Sequence, residues 1–264
     1  MHEPHSSGGG LFFDLVLSLP FLLAILLYIG AGFVSNRSPH LKKWPFWRSV
    51  FWTIGVICAA MAVIGPLAEQ ARIDFRAHMM GHLLLGMLAP LLLVLAAPMT
   101  LLLRTLPVNA AKRISLLLRS SYVRVISHPI TASILNIGGL WVLYTTDLYH
   151  MMHNHLWIHV LVHLHVFLAG YLFTMAMIYI DPVAHRYSYL YRAVVFIFAL
   201  AGHGILSKYL YASPPAGVSQ TQAEAGSMLM YYGGDAIDAV LIFILCLQWY
   251  RATQPGNRRP AAAT

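Results

Sequence analysis

Seven stretches of the chain stay apolar for roughly the length of a bilayer: 11–33, 50–67, 79–103, 130–146, 156–180, 191–211 and 225–250. A helix crosses the hydrocarbon layer with about 20 residues. Backbone groups left unpaired in lipid are too costly for any other open form, so each run predicts a membrane helix. The second and fourth runs are short but usable. Pro90 and Pro98, inside the third run, predict kinks. The first run is longer than the core of a secretory signal, and no basic stretch precedes it, so it predicts a retained helix. The pattern therefore predicts one all-α, seven-helix membrane domain over 1–264, with flexible tails at 1–10 and 252–264.

Charge sharpens that picture. Only 10% of the residues are charged, against about 25% in soluble domains. Fourteen of the seventeen lysines and arginines fall in alternate connections: after the first, third and fifth runs, and in the C-terminal tail. Arg72, Arg76 and Lys208 are the remainder. By the positive-inside rule this predicts the N-terminus outside and the C-terminus in the cytoplasm, and a six-helix chain would break the alternation. The segment 109–126 sets Lys112, Arg113, Arg119 and Arg124 among leucines and isoleucines, and predicts an amphipathic helix along the interface. The net charge of +8 belongs to these loops, so lipid is the expected partner and nucleic acid is not. Cys58 and Cys246 lie far apart in apolar runs and form no disulfide framework.

The fourteen histidines are the unusual feature. In this orientation His78, His82, His150, His153, His155, His159, His163 and His203 fall toward the outer ends of helices, with His2 and His5 in the outer tail. Residues four apart share a helical face. His78/His82 and His155/His159/His163 are spaced so that imidazoles from the third and fifth helices can share a metal ion. A lone membrane histidine is ordinarily a hydrogen-bonded packing residue. Eight on one side, at ligand spacing and at costly depth, predict a functional site. The nearby Met79, Met80, Met151, Met152, Met228 and Met230 are common fillers of apolar helices. As ligands, thioether with imidazole would favour copper, especially Cu(I). Asp235 is predicted to face the bundle interior as a ligand, as a partner holding a histidine tautomer, or as a helix–helix hydrogen bond. No nucleophile triad, P-loop or dinucleotide fingerprint is present, so an enzyme is not expected. Haem ligation with electron transfer, a membrane hydroxylase centre and ion-coupled transport through Asp235 and Asp238 remain the alternatives.

Several stretches resemble the CtaG-type seven-helix cytochrome c oxidase assembly proteins of bacteria. They are His78-Met79-Met80-Gly81-His82 running on to Ala89-Pro90 and Ala97-Pro98; His128-Pro129; Leu140-Trp141; Asp147-Leu148-Tyr149; His155, His159 and His163; and Tyr231-Tyr232-Gly233-Gly234-Asp235. The resemblance implies a multi-pass protein of the bacterial inner membrane that matures a haem–copper oxidase. It implies copper, as Cu(I) or Cu(II), as the ligand, with His78, His82, His159 and His163 holding it. His155, His203, Asp235 and Met79 are the additional candidates. The implied partners are the copper-receiving oxidase subunit and a periplasmic copper chaperone.

Overall fold

The computed structural model describes residues 7–254, with side chains from residue 15 onward. His2, His5, Arg258 and Arg259 lie outside the described residues. Among these, every regular element is helical. In chain order they are α1 (Ser7–Arg37), α2 (Phe46–Val63), α3 (Pro66–Gln70), α4 (Phe75–Leu95), α5 (Pro98–Thr105), α6 (Val108–Leu118), α7 (Ser121–Ile126), α8 (Pro129–Thr145), α9 (Leu148–Asn154), α10 (Leu156–Met177), α11 (Tyr189–Ala212) and α12 (Gln220–Thr253). The helix α4 is continuous through a π-helical turn at Leu84–Leu88, and α8 through one at Ile134–Gly138.

Six helices are long and apolar enough to cross a membrane: α1, α2 together with α3, α4, α10, α11 and α12. The fourth expected span becomes α8, a shorter apolar helix. At the usual rise per residue it covers about 25 Å, less than the ~30 Å of a hydrocarbon layer. The helix α1 begins at Ser7 and α12 runs to Thr253; the rest of the two stretches expected as tails lies outside the described residues, apart from Gln254. The amphipathic segment is two helices, α6 and α7, broken where Ser120 caps the second. No residue of either is buried.

Burial ranks the helices. Most of the α4 stretch is enclosed, whereas α1 from Leu15 onward is largely exposed, through Leu15, Leu19, Leu22 and Leu26 among others. The sequence explains how neighbours come so close to α4. Its N-cap, Asp74, accepts from the Arg76 amide at 2.8 Å. Further along, Pro90 has no N–H to give the Gly86 carbonyl, and Gly86 lies in the π turn. Gly170 of α10 packs onto that carbonyl so tightly that a Cβ there would lie 2.0 Å from the oxygen. Pro98 does not kink α4 as expected. The chain leaves the helix at Ala97, in the left-handed region at φ 54°, and Pro98 opens α5 at its first turn.

Leu85 and Ala89 of α4 pack on Cys58, Ala59 and Ala62 of α2, and two further apolar clusters cover its other faces. One joins its first turns to α8, α9, α11 and α12 through Phe75, Met79, Leu143, Tyr149, Leu206 and Met230. The other joins its later turns to α10, α11 and α12 through Leu91, Phe173, Phe196 and Leu241. His82, His203 and Asp238 are buried polar residues in the layer between them. Both cysteines are free.

Candidate metal centre

The α4 N-terminus carries His78 and His82 one turn apart, and neighbouring helices bring further imidazoles to both. His78 is 8% exposed. Its Nε2 lies 3.0 Å from the Tyr144 hydroxyl, which also reaches the Met79 sulfur at 3.9 Å. Donating to the sulfur, that hydroxyl accepts from Nε2–H and leaves the lone pair on His78 Nδ1. The His153 ring of α9 stands 6.1 Å from the His78 ring, centroid to centroid, and Tyr149 packs edge-on against His78 at 5.1 Å. Burial, with the Asp74 carboxylate nearby, pushes the Tyr149 hydroxyl above its ordinary range, so it stays neutral.

Two imidazoles at this end are oriented as ligands commonly are. His153 Nδ1 lies 2.9 Å from the Tyr149 carbonyl, and His163 Nδ1 lies 2.9 Å from the His159 carbonyl. A backbone carbonyl accepts only from Nδ1–H, so each Nε2 carries its lone pair outward. This is the orientation that outer-shell hydrogen bonds impose on metal-binding histidines. The His159 ring stacks on His163 at 4.1 Å.

His82 lies on two cavities. The outer one is lined by His78, His82, Tyr144 and His163, and has about 20 Å³ of free volume. The inner one is also about 20 Å³ and is lined by His82, His203, Asp238, Asn136 and Thr174 among apolar side chains. Each has room for one water-sized body. Both nitrogens of His82, and Nε2 of His203, are buried without a hydrogen-bond partner. The two rings are 6.2 Å apart.

Of the residues expected from sequence, His78, His82 and His163 share the outer cavity, and His159 flanks it by stacking on His163. His155 is exposed: the helix begins at Leu156, so His155 is its cap and leaves the ladder. Asp235 is exposed, and the carboxylate turned inward is Asp238, 4% exposed. Three residues turn a helix by about 300°, enough to move a side chain from the core face to the rim. Met79 lies in the apolar cluster rather than in either cavity, as do Met152 and Met230. Met80, Met151 and Met228 are exposed. The residues that sequence reasoning undervalued are Tyr144, Tyr149, His153 and Asp238. The four-residue spacing of Tyr149 and His153 was the available signal.

As the side chains stand, no three His, Cys, Asp or Glu residues among those described converge tightly enough to grip an ion. The donor set nonetheless fits a soft or borderline cation. It offers neutral imidazoles with free lone pairs, unpartnered buried nitrogens, and space for one small body.

An all-helical protein with several helices able to cross a membrane, and a histidine centre at one end of its bundle, is the class that fold and site define. The model of one family, described as cytochrome c oxidase caa3 assembly factor (Caa3_CtaG), matches residues 26–252, and the chain belongs to that family. Uncharacterized proteins of Mycobacterium leprae and Mycobacterium bovis are 35% and 36% identical to it, over 64% and 62% of the chain. These relatives are much longer. The chain spans 27% and 26% of their lengths, about a quarter. No solved structure matches the chain.

Proposed function

We propose that this protein holds copper at the histidine end of its bundle and passes it to a haem–copper oxidase during assembly. The observation that carries the reading is the outer cavity, where His78 and His82 of α4 meet His163 of α10, with His159 and His153 beside them. The family supplies the pathway. The fixed tautomer of His163 and the free nitrogens of His82 supply the chemistry. Neutral imidazoles bind copper well, and a few such ligands on separate helices can release it to a stronger site.

The accompanying topology is seven spans in a bacterial inner membrane, with α8 as the fourth. The N-terminus and the histidine end face outward, and the arginine-rich connections face the cytoplasm. That orientation puts the cavity on the side where a periplasmic copper chaperone would load it and an oxidase subunit would be filled. A single ion suits the room available in either cavity far better than a haem does.

Metal analysis of the purified, Cu(I)-loaded chain tests the reading. Wild type should retain copper. His163→Ala should lose the ion of the outer cavity, with the helical content by circular dichroism unchanged. A wild-type protein that retains no copper after loading overturns the proposal.

A further inference from the structure

We infer that His82, His203 and Asp238 line a second cation site one helical turn deeper, fed from the outer cavity through His82, and that these side chains draw together on the ion as it binds. The inference rests on the copper reading and extends it from one ion to two.

Three independent features mark the inner cavity as built. The first is its unsatisfied polar set. His82, His203 and Asp238 are 7%, 4% and 4% exposed. Neither His82 nitrogen has a partner, nor does His203 Nε2. Among the described residues no hydrogen bond or ion pair reaches the Asp238 carboxyl. Buried groups of this kind are normally matched within the protein, so three around one small space point to a guest that matches them together.

The second is shape. The π turns of α4 and α8 both face this cavity, contributing Gly86 and Met87 from one and Asn136 and Ile137 from the other. Single π turns inside α-helices concentrate at functional sites. Gly234 of α12 makes room for His203, because a Cβ there would stand 2.6 Å from the ring.

The third is spacing. A metal–nitrogen bond of about 2 Å on each side places two imidazole ring centres about 6 Å apart when they share one ion. The His82 and His203 centroids are 6.2 Å apart. His82 also lines the outer cavity, so an ion moving inward can keep that side chain while it exchanges its other neighbours. Its one lone pair serves one ion at a time, so with both sites filled His82 holds the inner ion and His78 and His163 hold the outer one.

Charge selects the occupant. With the two imidazoles neutral, one carboxylate brings a single negative charge into a low-dielectric layer. A monovalent cation cancels it, whereas a divalent cation leaves an uncompensated positive charge, which is costly at that depth. The site is therefore assigned to Cu(I), transferred inward from the outer cavity with no change of oxidation state.

Equilibrium titration of the purified full chain with Cu(I), against a chromophoric chelator, reads the number of ions per protein. Wild type should bind two. Asp238→Asn, which preserves shape, and His203→Ala should each bind one. His163→Ala should lose the outer ion. X-ray absorption on singly loaded Asp238→Asn should show imidazole ligands for the remaining outer ion. A wild-type ratio of one, or folded Asp238→Asn and His203→Ala variants that still bind two, overturns the inner site and leaves the copper proposal standing. A wild-type ratio of zero overturns both.

Discussion

The two ends of the bundle hold their buried polar groups differently. The arginine-rich end leaves Ser35 Oγ, His185 Nε2 and the Nε atoms of Arg48, Arg104 and Arg192 without partners, but buried groups there also tie distant segments together. Asp181 accepts from the Met99 and Thr100 amides at 3.1 and 2.7 Å and from the Thr100 hydroxyl at 2.6 Å, capping α5 from a distant part of the chain. Tyr28 donates to the Ala96 carbonyl at 2.7 Å and accepts from the Trp44 indole at 3.2 Å. Arg192 donates to the Met177 carbonyl and lies over the Tyr179 and Tyr189 rings. At the histidine end, His82 and His203 are equally buried and have nitrogens with no partner at all. Matched groups fix structure, while unmatched ones forfeit stability unless something else binds them. Unpaired imidazoles that line small cavities are what set the histidine end apart.

The largest expected effect comes where the two ends are tied together. Gly170→Ala would set a methyl group against the Gly86 carbonyl on α4, a backbone atom that cannot step aside. Overpacking of this kind costs about 1–3 kcal/mol or more. It should also open the outer cavity, which α4 and α10 line together with Leu143 and Tyr144 of α8. Thermal unfolding in detergent and copper content should both fall. A variant with wild-type stability would show that the helices do not need this contact. Next comes Asp181→Ala, which removes three hydrogen bonds at the arginine-rich end. It should cost about 2 kcal/mol, with several donors left unsatisfied, and the folded fraction should keep its full complement of copper. Copper loss from folded Asp181→Ala would erase the division between the ends.

The elements were far more legible in the sequence than the site. Lipid leaves so few options for the backbone that every apolar run is helical; the ends moved, and the third run broke in two at Ala97. Pro98 was misread because proline begins a helix as readily as it bends one. The left-handed turn at Ala97 that decides between them leaves no mark in composition. The site failed at rotation and register. Spacing shows that His78 and His82 share a face, and that holds. It does not show which way α12 is turned, so Asp235 was chosen where Asp238 points inward. Spacing likewise grouped His82 with the imidazoles of the fifth helix, whereas its ring neighbour is His203 on α11. That pairing depends on how far α11 slides along α4, which packing decides.

The smallest expected effect is the sharpest test of where the ligand-binding end stops. His153 and His155 are two residues apart and both exposed, and composition cannot tell them apart. The structure separates them. His153 has its Nδ1 fixed by the Tyr149 carbonyl and its ring beside His78, at the mouth of the outer cavity. His155 caps α10 through its backbone carbonyl, which accepts from the His159 amide at 3.0 Å, and its side chain makes no capping hydrogen bond. Alanine keeps that carbonyl. His155→Ala should therefore change stability by no more than about 0.5 kcal/mol, as surface substitutions do, and leave Cu(I) affinity unchanged. His153→Ala should weaken Cu(I) binding several-fold at equally small cost to folding. Chelator competition on the two variants side by side decides the matter. Equal losses would mean that the i, i+4 ladder read from the sequence, and not the cavity beneath it, gathers the ion.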